Sequence, residues 1–295
     1  MILLKYISSS GNVYDLKSKG IKTKTANYHT WAWSPVGVEL KYGLRLTDFK
    51  KSAAEYSSTL IFEGSYYDRR DLIDTIHEDF EYDIRNKTPG RIIWGECYLD
   101  CYITESSTEP DEKLSWTENE IKIYAPHPFW IREEKRSFVP SVEPLFVTFL
   151  DFDYDFDYDY APSTAGSSLW IRDFPFSSEF KMVVYGPAAS PHLTINGHVY
   201  EFYDTLLAGE YAVIDSRANT ITKMTTSGQA VNIFDKRNKT ESIFEDIPGG
   251  TLAINWSGSF GFDLTVFEER SEPHGGDDRY AGLTGNGAQL MVEND

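Results

Sequence analysis

Six histidines and two cysteines have the widest chemical range in this 295-residue chain, so their spacing is read first. His29, His77, His127, His192, His198 and His274 are scattered, and none stands at the spacing of a metal pair such as HExxH. Cys97 and Cys101 lie in the run ECYLDCYIT. On a strand they share a face with α-carbons roughly 13 Å apart at ~3.3 Å per residue, beyond the ~7 Å that a disulfide spans. They read as two small buried thiols, because a zinc site needs further ligands at proper spacing. The chain has no GxSxG nucleophile turn and no glycine loop that would cradle phosphate ahead of a helix. Carboxylates are abundant, but an acidic chain supplies that background, and no glycosidase-type pair stands out from it. The sequence therefore nominates no catalytic residue, no metal ligand, no cofactor-binding residue and no cofactor. Asn86, Asn238 and Asn255 open N-x-S/T sequons, which matter only in a secreted chain.

One further stretch invites a chemical reading. Residues 150–160, LDFDYDFDYDY, place Asp151, Asp153, Asp155, Asp157 and Asp159 on one face of an extended segment and five aromatics on the other. Alternate carboxylates offer oxygen ligands of the kind Ca²⁺ takes. The segment lacks an EF-hand pattern, and aspartates alternating on a straight strand do not converge. An extended connector packing its aromatics on its own domain is preferred, ahead of contact with a neighbouring subunit and of calcium binding.

Composition bounds the partners. Acidic residues outnumber basic ones 46 to 28, for a formal charge of −18. That argues against nucleic acid or an anionic membrane, both of which call for a basic footprint. The start MILLKYISSS is too short in apolar residues for a signal peptide, and nothing downstream approaches a membrane span, so the chain is expected to be cytosolic when made. Aromatics make up 15% of the chain and recur in alternating runs, which suits sheets better than helical bundles.

The elements follow from periodicity. In the N-terminal half, residues 2–7 and 13–16 flank SSSGN as a short hairpin, and 22–35 reads as loop. Val38, Leu40, Tyr42, Leu44 and Leu46 form a period-two row that predicts one strand with one wet face. Another strand is expected at 59–63. Leu72, Ile73, Ile76, Phe80 and Ile84 recur at helical spacing over 68–84, with Asp68 as N-cap. Strands are expected over 91–104, turning near Trp94-Gly95-Glu96, and at 120–124. Residues 1–133 are read as an N-terminal α+β domain, 134–167 as an acidic-aromatic connector, 168–271 as a C-terminal β-sandwich or jelly roll, and 272–295 as a flexible tail.

In the C-terminal half, short strands recur at 170–174, 182–185, 193–195, 198–202, 211–215, 220–224 and 229–234. Asn196-Gly197 between apolar runs predicts a type I′ hairpin turn. The stretch 247–273 organises this half. Leu252, Ile254 and Trp256 alternate with Thr251, Ala253 and Asn255; Phe260, Phe262, Leu264 and Val266 follow after Ser257-Gly258-Ser259. The two arms are expected to close a β-hairpin whose apolar row a second sheet covers.

Several longer stretches carry a resemblance. YGPAASPHLTINGHVYEF at 185–202, AGEYAVIDS at 208–216, FDKRNKTESIFEDIPGG at 234–250 and WSGSFGFDLTVFEERSEP at 256–273 resemble the distal tail proteins of siphophages. FEGSYYDRRDLIDTIHEDFEYDIRNKTPGRIIWGECYLDCYI at 62–103 and EIKIYAPHPFWIREE at 120–134 fit in the same order. The resemblance implies a mainly β chain: an N-terminal β-sandwich with one helix, followed by a galectin-like C-terminal β-sandwich. It implies a non-enzymatic virion protein at the tail tip, made and assembled in the host cytoplasm. Such proteins close into a ring, generally a hexamer, that joins the tail tube to the tip hub, lysin or fibre protein and in some phages carries receptor-binding proteins. The chain has no large insertion of the carbohydrate-binding kind. Two other readings compete: a carbohydrate-binding module with an aromatic platform within 170–255, and a glycoside hydrolase using paired carboxylates.

Overall fold

The computed structural model describes residues 3–108, 115–140 and 166–273. The run 150–160 with its aspartates, most of the 134–167 connector, His274 and all but the start of the 272–295 tail lie outside the described residues. The described chain is mainly β, with one α-helix among the described residues. It divides into two compact units, one of residues up to 132 with 269–273, the other of residues 133–268.

In the first unit, β1 (Leu4–Ile7) and β2 (Val13–Asp15) form the expected hairpin, with Ile7 opposite Val13. Residues 22–35 are not simply loop. They contain β3 (Ile21–Ala26) and run into β4 (Ser34–Glu39). After Ile21 the side chains of β3 are Lys, Thr and Ala, mostly exposed, so no apolar period marks it as a strand. The row Val38 to Leu46 departs furthest from expectation. The chain reverses after Leu40, whose N–H donates to Gly43 C=O at 2.9 Å, and returns as β5 (Leu44–Lys50) antiparallel to β4. Gly43, at φ 85°, supplies the left-handed backbone that this reversal uses.

Next come β6 (Ala54–Glu63) and the helix α1 (Tyr66–Asn86), then β7 (Gly90–Trp94), β8 (Cys97–Thr108), β9 (Trp116–Ala125) and β10 (Trp130–Phe138), whose single run spans the boundary expected near Glu133. The helix starts earlier than its apolar spacing predicts. Ser65 is the N-cap, its hydroxyl accepting from Asp68 N–H at 3.2 Å and donating to Asp68 Oδ2 at 2.7 Å, so Asp68 lies in the first turn and is capped rather than capping. One sheet orders β2-β1-β7-β8, a second β3-β6-β9-β8. The long β8 serves both: residues 97–101 pair with β7 and 102–108 with β9, across a register shift between Ile103 and Glu105. Ile73, Ile76 and Phe80 of α1 join Tyr6, Leu60, Phe62, Leu99 and Ile123 in one buried core.

In the second unit, β11 (Gly166–Ile171) and β12 (Phe180–Tyr185) precede the two-residue β13 (Ala188–Ala189), then β14 (His192–Ile195) and β15 (His198–Glu201). Asn196 and Gly197, at φ 50° and 89°, make the expected turn between these last two. The chain continues through the two-residue β16 (Thr205–Leu206), β17 (Tyr211–Asp215), β18 (Thr220–Met224), β19 (Ala230–Asn232), β20 (Thr251–Trp256) and β21 (Phe262–Arg270). One sheet orders β11-β20-β14-β15; the other runs β21-β12-β17-β18-β19.

The two arms of 247–273 are therefore not a hairpin. β20 pairs with β11 and β14, while β21 pairs with β12, so Ser257–Gly258–Ser259 carries the chain from one sheet to the other. Their apolar rows meet across the interior. Leu252, Ile254 and Trp256 on one sheet and Phe262, Leu264 and Val266 on the other are all buried in one cluster. Each row is covered by the opposite sheet, which is the β-sandwich solution to a half-apolar strand.

Candidate assembly surface

Among the described residues, both cysteines are buried and each histidine has a polar neighbour, His29 lying 3.8 Å from Glu272. Cys97 and Cys101 lie buried on one face of β8, and burial pushes the Cys101 thiol above its ordinary pKa. His77 on α1 lies 2.8 Å from Ser106 Oγ and 3.1 Å from Asn119 Nδ2, and burial lowers its pKa. His192 and His198 flank the Asn-Gly turn of β14 and β15, the first near Glu201 at 3.7 Å and the second 2.8 Å from Ser242 C=O. His127 pairs with Glu269 at 2.6 Å. Among the described residues no cluster of His, Cys, Asp and Glu could hold a metal ion.

Two polar groups that the sequence reading missed are buried deeply. Asp83 accepts hydrogen bonds from Tyr6 Oη, from Ser8 Oγ at 2.9 Å and from Ser9 N–H at 2.8 Å. Asp79 accepts from Ser10 Oγ at 2.8 Å, Asn12 Nδ2 at 3.0 Å and Tyr14 Oη. The SSSGN turn is thereby fixed to α1. Desolvation alone would raise the Asp79 pKa, but the donors from Tyr14, Ser10, Asn12 and Ser8 outweigh it and hold the carboxyl below its ordinary range. The signal was present in the i, i+4 aspartates beside the apolar stripe. At about 100° per residue Asp83 falls within about 20° of Ile76, whereas Ile84 lies about 80° away, and Ile84 is the exposed one.

In the second unit, the fully buried Arg172 donates to Pro248 C=O at 2.9 Å and Ser178 Oγ at 3.0 Å, with Glu134 and Glu268 each 3.6 Å from its guanidinium. A cleft of about 330 Å³ runs along α1, lined by Tyr66, Arg69, Arg70, Ile73, Asp74 and His77. Its cations have partners within the fold: Arg69 donates to Thr117 Oγ1 and Gly64 C=O, and Arg70 lies 3.8 Å from Asp74.

The hairpin of β4 and β5 differs from all of these. Among the described residues it is a separate two-stranded sheet. Register assigns its faces: Val38 opposes Arg45, Val36 opposes Asp48 and Ser34 opposes Lys50 on one side. Glu39 opposes Leu44, Gly37 opposes Leu46 and Pro35 opposes Phe49 on the other. Gly37 sits at a register shift where a Cβ would meet the Arg45 carbonyl oxygen at 2.2 Å, so glycine is required there. Val38, Leu40, Tyr42, Leu44, Leu46 and Phe49 are all exposed, Tyr42 at 83%. Trp31 and Trp33 are exposed just before the hairpin, and Lys51 just after it lies over the Phe129 ring at 4.0 Å. Burial lowers the Lys51 pKa to about 8. An isolated hairpin with apolar side chains on both faces is marginal in water. Contiguous exposed apolar side chains of this kind mark an interaction surface.

No family model and no curated protein matches this sequence. Solved structures do. The Dit protein of phage SPP1, described as a paradigm of the hub adsorption apparatus in phages infecting Gram-positive hosts, is 9% identical and superposes with a TM-score of 0.59 over 91% of this chain and 99% of its own. A chain of the phage p2 baseplate in its activated conformation with Ca is 13% identical, with a TM-score of 0.60 over 92% of this chain and 100% of its own; the structure with Sr gives the same values. The chain thus has the fold of these phage hub and baseplate proteins along nearly its whole described length.

Proposed function

We propose that the chain is a structural, non-enzymatic virion protein: the distal tail hub of a long-tailed, non-contractile phage. Six copies close a ring that joins the tail tube on one side to the tip hub, lysin or fibre protein on the other, with receptor-binding proteins as further partners. The observation that carries this reading is the bare apolar hairpin of β4 and β5, on a fold shared end to end with a hub protein and a baseplate protein. A surface of that kind is retained in a soluble chain when another chain covers it, and repeated copies around a closed ring multiply weak contacts. The buried polar groups fit a passive role, because Asp79, Asp83 and Arg172 are engaged in holding turns and sheets.

The test is the mass of the purified chain by light scattering over a concentration series, with negative-stain images of the largest species. A six-fold ring with a central channel is expected. A monomer at every concentration, with or without tail-tube protein, would overturn the proposal.

A further inference from the structure

We infer that the free edge of β5 takes up the acidic-aromatic segment 150–160 of a neighbouring copy as a third strand. The inference rests on the ring reading and names the contact that closes the ring.

β5 pairs only with β4 among the described residues, so its outer edge presents unpaired backbone groups, the usual template for strand addition. Its two faces differ in chemistry. Leu44, Leu46 and Phe49 lie on one; Arg45 and Lys50 lie on the other, with Asp48 between them beside the register shift. Around this edge Lys41, Arg45, Lys50 and Lys51 outnumber Glu39 and Asp48, a local excess of positive charge in a chain of formal charge −18. The segment LDFDYDFDYDY has the matching pattern: aspartates at odd positions 151–159, aromatics at even positions 152–160, and no cation. Added to β5 in either direction, its aromatic face extends the leucine and phenylalanine face while its aspartates fall beside Arg45 and Lys50. A one-residue slip would set aspartates against leucines, so the match fixes which half of the segment faces which side. Asp48 is the one like charge on that face.

Chain length allows the segment to leave its own copy. About 15 residues separate Pro140 from the middle of the run, a reach of roughly 50 Å at ~3.3 Å each. Every copy carries the open β5 edge and one strand complementary to it, so this pairing runs head to tail, the heterologous arrangement that closes into rings.

The native thiols Cys97 and Cys101 are buried, so engineered cysteines report alone. Leu46→Cys is combined in the full chain with Phe152→Cys, Tyr154→Cys, Phe156→Cys or Tyr158→Cys, and separately with Asp153→Cys or Asp155→Cys. Under mild oxidation at least one even-position pair is expected to give a ladder of covalent multimers; the odd-position pairs give none. Arg45→Glu with Lys50→Glu should raise the concentration needed for assembly roughly tenfold, since each cross-strand charge pair passes from attraction to repulsion. Asp153→Lys with Asp155→Lys should restore it. A ring by light scattering without even-position crosslinks overturns the strand exchange and leaves the ring reading standing. A fast-migrating monomer instead of a ladder shows docking within one copy, and crosslinking by Leu46→Cys alone shows hairpin meeting hairpin; either overturns the inference. A chain that never assembles overturns both readings.

Discussion

Replacing Leu44, Leu46 and Phe49 together by serine separates assembly from folding. These three side chains share one face of the hairpin and are 43%, 49% and 51% exposed. Fully burying a Leu or Phe side chain contributes about 1.5–3 kcal/mol, so covering the exposed half of each contributes about 1 kcal/mol, and about 3 kcal/mol for the three. That corresponds to roughly a hundredfold weaker association per interface. In the isolated chain the half of each side chain that is already covered is lost as well, so the triple variant should lose up to about 3 kcal/mol of monomer stability. Ile171→Ser, removing another exposed apolar side chain far along the sequence in β11, serves as the control for apolar loss in general. Sedimentation velocity over a concentration series reads assembly; thermal unfolding of the dilute chain reads stability. Unchanged assembly in the triple variant would refute the reasoning, and so would a fall in monomer stability well beyond about 3 kcal/mol, which would mean that the whole hairpin face is buried within its own chain.

Two further perturbations test the buried polar groups. Because its hydrogen-bond donors depress the Asp79 pKa in the folded chain, its contribution to stability is complete above the unfolded carboxyl value of about 4 and is lost as pH falls through the lower folded value. Urea midpoints should hold level from pH 7 to about 5 and fall below about 4, with a shallower acid fall in Asp79→Asn; an identical slope in that variant would refute the assignment. Arg172→Ala leaves Glu268 buried beside a cavity and should cost about 3–5 kcal/mol by denaturant titration, whereas Arg172→Met with Glu268→Leu should recover most of it. Equal losses in the two variants would count against a charge-pairing role.

Local chemistry was legible where one short segment decides its own conformation. Asn196-Gly197 dictates its turn, the alternation of Leu252, Ile254 and Trp256 dictates their common burial, and the stripe of Ile73, Ile76 and Phe80 dictates a helix. What escaped depends on groups distant in the chain. Asp79 and Asp83 are tolerable inside only because SSSGN, some 70 residues earlier, brings them donors. Arg172 likewise depends on Glu134 and Glu268 from other strands. β3 escaped because an exposed strand of Lys and Thr has no apolar face to betray it.

The instructive errors are the two apolar rows. In both 252–266 and 38–46 the sequence presents period-two apolar residues, and in both the pairing inferred from adjacency was wrong. Adjacency joined β20 to β21 as a hairpin, yet they lie in opposite sheets; it read β4 and β5 as one strand, yet they are two that fold back on each other. Alternation states which residues share a face, not what covers that face. For β20 and β21 the answer lies within the chain, each row burying the other to near-zero exposure. For β4 and β5 no described element of the chain supplies the cover. The same sequence signal thus marks a core in one place and an exposed apolar surface in the other. The separation comes from charge: the buried rows are flanked by neutral and acidic side chains, whereas the bare row alone is interleaved with Lys41 and Arg45 and bounded by Lys50 and Lys51. In a chain of formal charge −18, that local excess of basic residues sets the bare hairpin apart from the buried rows.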